Sequence, residues 1–279
     1  MYARMRMKIL IKWCIKMFFP VPRYCLTLLR RHPSRDLRVL CYHRVNDYPR
    51  EKLSRIGQEG SVSAREFDEQ LAYLRRKGYR SINSSALTRY LLRETDLPSR
   101  SILITFDDGY EDNYLCAFPL LKKHGFEAIF FLTTDYIGNG RVFDWDLDGD
   151  PSLSKTLTWR QVLEMKASGI AFGSHTKSHT LLTKLGIEEA RSELKGSKEE
   201  IENRTGEAVQ FLAYPFGIFD QALQALAREV GYVGVFTSIP GTNLQGDDAY
   251  ALKRREVTAS DTGFVFKMKV AGALDSFWF

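Results

Sequence analysis

Residues 101–110 read SILITFDDGY. Ser101 to Ile104 form a short apolar, β-branched run of the kind that fills a buried strand, and Gly109 punctuates its end. Between run and stop stand two adjacent carboxylates, Asp107 and Asp108. Side by side they repel, and each loses hydration if the strand end is buried. Either the pair accepts backbone amides in a turn, or something positive sits between them.

Working outward, the same kind of run recurs. LRVLCYH (37–43), EAIFFLTT (127–134), IAFGSHT (170–176), QFLAYPFG (210–217) and YVGVFTS (232–238) read as further strands. Helical spacing fills the intervals. A helix is expected over 64–78, with Ser63 as N-cap and Gly78 as stop. Others are expected from the acidic pair to 124–125, over 158–169, over 187–206 ended by Gly206, and over 220–230, with a last helix or loop over 261–274. Strands alternating with helices imply a parallel sheet covered by helices. About seven strands without a linker or repeat fit one closed or nearly closed barrel, with a doubly wound open sheet as the alternative. The stretch 135–157 is too long for a simple connection, and loops of that length are usually functional.

Composition narrows the function classes. The 279 residues are 44% hydrophobic and 27% charged, as in soluble globular proteins, with a formal charge of +6. Residues 1–40 hold ten Lys/Arg against one acid, Asp36, so this segment is +9 and the rest of the chain is −3. A nucleic-acid binder spreads its basic residues over the folded face, so nucleic acid is not expected as a partner. Within the tail, Arg4, Lys8, Lys12 and Lys16 recur every fourth residue, while Ile9, Leu10, Trp13, Met17 and Phe18 occupy the remainder, up to Pro20 and Pro22. The apolar run is interrupted by Lys12 and Lys16, so neither a signal peptide nor a membrane span is expected. The expectation is a basic amphipathic helix in residues 1–36, touching an anionic membrane through residues 4–18 or packed on the body that spans 37–279. Cys14, Cys25, Cys41 and Cys116 show no C-x-x-C pair, and reduced thiols in a cytoplasmic protein on the inner face of the membrane are expected. No metal site is expected from them.

Chemically capable residues fall at the predicted carboxyl ends of strands: His43, Asp107 with Asp108, His175, and Tyr214-Pro215-Phe216-Gly217. In barrels and open α/β sheets these ends face one side, where sites are built. HTKSH places His175 and His179 four apart, and a helical turn there would bring their Cβ atoms to about 5–6 Å on one face. Two imidazoles and one carboxylate suit Zn²⁺ or another first-row divalent ion, with positions left for water. Ligation then needs one carboxylate, and because successive strand residues point opposite ways, the other is left to act as a base.

TFDDGY, GSHTKSH and FLAYPFG, in that order, resemble the first three motifs of the polysaccharide deacetylases, the NodB-homology group of carbohydrate esterase family four. The resemblance extends from about Leu37 to Val257. It implies a distorted (β/α)₇ barrel that removes N-acetyl groups from N-acetylhexosamine units of a glycan or glycolipid, using one divalent metal: Zn first, with Co, Ni, Mn or Fe as alternatives. It assigns Asp107 as general base, Asp108, His175 and His179 as metal ligands, and the Phe216 amide as an oxyanion donor. Two departures stand out. Where many members have an arginine that orients the base, this chain has Ala213, and Arg254 or Arg255 is the expected substitute. No histidine follows His179, and CYHRV resembles the subset in which the acid comes from the N-terminal side, here His43, an imidazole suited to protonating the leaving amine. In the long loop, Tyr136, Trp145 and Asp146 are expected to line a sugar groove or, for Trp145, to pin the loop. Tyr214 is a further candidate for substrate contact, and Tyr110 and Asn113 for supporting roles. A deformylase or other amidase, and a non-catalytic carbohydrate-binding relative, are the alternative functions.

Overall fold

The computed structural model describes residues 36–273 and residue 275. The tail helix expected over 4–18, with Cys14 and Cys25, lies outside them. The main sheet is built from β1 (Arg38–Tyr42), β4 (Arg80–Ser81), β5 (Ser101–Phe106), β6 (Ala128–Leu132), β7 (Ala171–Ser174), β8 (Phe211–Ala213), β9 (Gly234–Phe236) and β10 (Arg255–Glu256). Its order is β10-β1-β5-β6-β7-β8-β9, all parallel, with β4 on the start of β5. A separate two-stranded parallel ribbon joins β2 (Arg44–Val45) to β3 (Ser61–Val62).

The strip 252–256 closes this curled sheet. Leu252 bridges Phe236 on one edge, and Leu40 and Cys41 pair with Arg255 and Glu256 on the other. Seven strands thus form the expected barrel, and the open-sheet alternative is set aside. Each strand end is shorter than expected. The SILITFDDG strand stops at Phe106, because Asp108 and Gly109 turn the chain with φ of 71° and 77°.

Period-two alternation sorts the strand residues into two cores. Leu40, Tyr42, Ile102, Ile104, Phe106 and Phe130 face outward, onto Phe67, Leu71 and Leu74 of α2 (Ala64–Arg76) and onto the other helices. Phe106 and Phe130 stack at 4.4 Å between ring centres, a pair that adds about 0.5–1.5 kcal/mol beyond its burial. Val39, Leu103, Ile129, Phe131, Phe211 and Phe236 fill the interior. Continuing the inward parity along the strands puts Cys41, Thr105 and Asp107 at the top of the lumen, which is how this barrel comes to present polar groups at one end.

The expected helices appear slightly trimmed: α2, α4 (Phe118–His124), α5 (Trp159–Ala167), α6 (Ile187–Thr205), α7 (Gln221–Val230) and α8 (Gly263–Ala271). Ser63 and Glu66 form a full capping box on α2, and Gly206 ends α6 in the left-handed conformation. Two helices lacked a legible signal. One is α1 (Arg55–Gly60), six residues long; the other is α3 (Ser84–Leu91), whose Leu87 and Tyr90 pack with the interior cluster. Among the described residues no helix is long and apolar enough to cross a membrane.

Gly109→Ala tests the turn that ends β5. At this positive φ, an added Cβ would lie 2.9 Å from Ile137 Cδ1 and 3.1 Å from Leu132 Cδ2. The expected cost is about 2–4 kcal/mol, combining left-handed strain with overpacking, read as a lower midpoint in urea unfolding.

Candidate active site

Asp107 and Asp108 diverge, as strand geometry requires, and each meets its own positive or donor partners. Asp107 turns into the lumen, where Arg254 Nη1 donates to Oδ1 and Nη2 to Oδ2, both at 2.7 Å. Arg254 is held in turn by donating from Nε to the Thr237 carbonyl at 3.0 Å. Both side chains are buried. Burial alone would push the Asp107 carboxyl up; the Arg254 guanidinium, with help from His175, outweighs it and holds the group well below the usual carboxylate range. Of the two arginines expected to replace the one missing at Ala213, Arg254 is the one that pairs with Asp107. Arg255 is directed away and pairs with Asp275 at 2.5 Å, because adjacent strand residues face opposite sides of the sheet.

Asp108 faces the histidines. Its Oδ1 lies 3.4 Å from His175 Nε2 and 3.4 Å from His179 Nε2, and the two Nε2 atoms are 3.1 Å apart. These three atoms fit a divalent ion. Ligands about 2.1 Å from a tetrahedral centre stand about 3.4 Å from one another, close to the triangle seen here. Asp108 Oδ1 is buried without a hydrogen-bond partner, as expected for an oxygen reserved for a cation. His175 Nδ1 lies 2.8 Å from the Ala213 carbonyl, which fixes Nδ1 as the protonated nitrogen and turns the Nε2 lone pair to the cluster. Burial, followed by the neighbouring His175, brings His179 down to about 4, so its ring is neutral and free to ligate.

The route to this geometry differs from the expected helical turn. HTKSH is an irregular loop in which Thr176 and His179 both adopt positive φ, and Thr176 Oγ1 accepts from the His179 amide at 3.1 Å. Of the six non-glycine residues with left-handed backbone among the described residues, four are Asp108, Thr176, His179 and Phe216. Such conformations cost about 1–3 kcal/mol each and persist where the surroundings dictate them. Here they cluster on the site.

A cleft of about 420 Å³ opens over these groups, lined among others by Cys41, His43, Asp107, His175, Trp145 and Phe216. A second lobe of about 320 Å³ shares His43, Ile56, Asp108, Trp145 and Glu256 with it. The cleft therefore runs past the Asp–His cluster on both sides. His43 sits beyond the end of β1, partly exposed, with Nδ1 3.8 Å from Glu256 Oε1, and Asn113 Nδ2 donates to its carbonyl at 2.8 Å. Phe216, at φ 59°, stands exposed at the rim.

The long loop reaches the site through Trp145. Its ring makes edge contacts with His179 (4.8 Å between centres) and Phe216 (6.4 Å). Its Nε1 donates to Tyr110 Oη at 2.9 Å, and Tyr110 donates to Asp146 at 2.6 Å. Asp146 also accepts from Ser54 Oγ at 2.6 Å and is fully buried, so it anchors the loop and does not line a groove. Tyr136 stacks on Phe143 at 4.0 Å inside the loop's own core, away from the cleft, while Tyr214 is largely buried against Phe219 at the cleft's wall. His124, placed at a helix end by the sequence, lies 2.6 Å from Asp68, remote from the cluster.

Three contributors had no sequence signal. Arg44 donates to Asp112 at 2.7 Å, caps the Tyr110 ring at 4.4 Å, and reaches Ser154 and the Leu153 carbonyl, tying β2 to the long loop. Asp112 and Glu256 complete the set. Their partners are tens to more than a hundred positions away in sequence, so no spacing rule points to them.

Comparison with known proteins bears on this arrangement. The family model for polysaccharide deacetylase matches residues 94–235, which include both aspartates, both histidines and the 213–217 turn but neither His43 nor Arg254. The chain is 29% identical over 230 residues to YxkH of Bacillus subtilis, a candidate polysaccharide deacetylase, covering 82% of this chain and 74% of that protein. It is 29% identical over 180 residues to the poly-beta-1,6-N-acetyl-D-glucosamine N-deacetylase of Staphylococcus epidermidis, covering 60% of this chain and 58% of that one. Among solved structures it is similar to IcaB from Ammonifex degensii, with a TM-score of 0.71 and 29% identity over 86% of this chain and 97% of that one.

Arg254→Leu tests the buried ion pair. It strands the Asp107 charge in the lumen and is expected to cost about 3–5 kcal/mol at neutral pH. The double variant with Asp107→Asn should recover a large part of that loss, as measured in a double-mutant cycle by chemical denaturation.

Proposed function

Because the chain belongs to the polysaccharide deacetylase family, a group of hydrolases that cleave amide C–N bonds of N-acetylated sugars, we propose that it removes acetyl groups from N-acetylhexosamine units with the cluster described above. The observation that carries this reading is the division of labour at the end of β5: Asp108 converges with two histidine nitrogens, while Asp107 is held apart by Arg254.

Asp108, His175 and His179 would hold a divalent cation, for which Zn²⁺ suits the nitrogen-rich set best, with Co, Ni, Mn or Fe as alternatives. When bound, that ion supplies Lewis acidity, which acidifies water and polarises an acetyl carbonyl. Asp107 takes a proton from the attacking water. With both oxygens held by Arg254 its carboxyl is kept well below the usual carboxylate range, so it stands ionised as a weak base. The Phe216 amide donates to the oxygen on which negative charge develops. His43, across the cleft, protonates the departing amine so that it leaves neutral. Trp145 walls the cleft at the acetyl position, presenting an apolar face to a pyranose ring.

The continuation of the cleft on both sides of the cluster favours an internal sugar of a glycan chain over a free monosaccharide. The Arg4–Lys16 stripe supports a second element of the reading, peripheral contact with anionic lipid on the inner face of a membrane, which would bring the cleft to a lipid-linked sugar or nascent polysaccharide.

Acetate release from a panel of N-acetylated glycans and lipid-linked sugars tests the activity; formate release would instead identify a deformylase. Asp107→Asn is expected to retain the metal and lose nearly all turnover, whereas Asp108→Asn and His179→Ala should lose metal and turnover together. His43→Ala should slow the reaction about 10²–10⁴-fold with metal content unchanged. Near-native turnover in Asp107→Asn would overturn the assignment. For the membrane contact, removal of residues 1–36 is expected to abolish co-sedimentation with anionic vesicles; unchanged sedimentation would refute it.

A further inference from the structure

A second group of ligand atoms faces the same cleft. Cys41 Sγ, a His43 ring nitrogen and an Asp107 oxygen all lie within 4.8 Å of one another. Cys41 Sγ is 3.5 Å from Asp107 Oδ2. A tetrahedral centre with a metal–sulfur bond of about 2.3 Å and a metal–oxygen bond of about 2.1 Å has a sulfur–oxygen edge of about 3.6 Å, so this edge is already in place. Strand pairing holds it there: Cys41 is in register with Thr105 on one side and Glu256 on the other. Glu256 Oε1 in turn lies 3.8 Å from His43 Nδ1. His43 is the adjustable member, partly exposed and at the end of its strand.

We propose that Cys41, His43 and Asp107, with Glu256 beside them, form a second site for a soft divalent cation such as Zn²⁺ or Cd²⁺, and that filling it switches the enzyme off. The inhibitory half rests on the functional reading above, since the ion would seize the residues assigned as base and acid; the site itself rests only on the ligand geometry. On binding, the Cys41 thiol gives its proton to solvent as the metal–sulfur bond forms, and the Asp107 oxygen uses a lone pair that Arg254 leaves available. This site is the weaker of the two. Arg254 and a cation at the Asp108 cluster both stand close by and oppose further positive charge, so the second ion enters only when metal is in excess. Thiolate and imidazole ligation selects soft and borderline ions over Mn²⁺ or Mg²⁺. Cysteine spacing along the chain gave no hint of this, because Asp107 and Glu256 come from strands far from β1 in sequence.

The test uses the full chain loaded with one equivalent of Zn²⁺ and titrated with Cd²⁺. One further ion is expected to bind with a thiolate-to-cadmium charge-transfer absorption in the ultraviolet, the zinc staying bound, while acetate release falls at least tenfold. Excess Mn²⁺ should do neither. Cys41→Ser, with Cys41→Ala as a second variant if serine impairs folding, should lose that ion and that absorption and keep its own starting rate in Cd²⁺. Equal cadmium uptake and equal absorption in wild type and both variants would overturn the site. An ion and an absorption that depend on Cys41 but leave turnover intact would overturn the switch. Absorption and stoichiometry are read without substrate, so they judge the site even if deacetylation is not found.

Discussion

The ion pair between Asp107 and Arg254 ties the closure of the barrel to the assembly of its site. A carboxylate and a guanidinium buried together recover their lost hydration only when the geometry is good and the remaining donors are satisfied. Here the contact is bidentate at 2.7 Å on both arms, and Arg254 Nε finds the Thr237 carbonyl. Arg254 belongs to the strip that joins the two edges of the sheet, between the Leu252 bridge to Phe236 and the Glu256 pairing with Cys41. Without closure Asp107 would be an unpaired charge in an apolar lumen. Without Asp107 the seam would carry an uncompensated arginine.

That coupling also explains why the neighbouring carboxylates coexist. Arg254 absorbs one charge, which leaves Asp108 as the one carboxylate facing the two imidazoles. The backbone conforms to this need, since Asp108, Thr176, His179 and Phe216 all take left-handed conformations that their side chains disfavour. The surrounding structure holds them there. His179 is boxed by Phe143, Trp145 and Phe216, and Trp145 is fixed by Tyr110, whose hydroxyl is bound to buried Asp146. Arg44, over the Tyr110 ring and bonded to Asp112, extends the same network down to β2. The long loop is therefore the back wall of the cluster, and its polar anchors hold Trp145 against His179.

The lumen also shows how a short parity rule can have more than one outcome. Cys41, Thr105 and Asp107 share the inward face of β1 and β5, one layer above the apolar interior. The arrangement that presents the Asp107 carboxylate to the cleft presents the Cys41 thiol beside it, with His43 just beyond the strand end. The same inward parity that brings these side chains together leaves their ligand atoms within 4.8 Å of one another.

Local signals in the chain were enough for the alternation of strands and helices, the barrel class, and the convergence of Asp108, His175 and His179 at strand ends. Hydrophobic period and strand-end placement are local properties, and a parallel barrel converts them into proximity by rule. The caps at Ser63 and Gly206 were legible for the same reason. Only the tertiary structure decided that Arg254 and not Arg255 pairs with Asp107, because that choice depends on which side of β10 faces the lumen. It also decided that Tyr136, Asp146 and Tyr214 are buried, that HTKSH is a strained loop and not a helical turn, and that Arg44, Asp112 and Glu256 belong to the site's surroundings. These are settled by sheet closure and loop packing, which leave no periodicity in the chain to read.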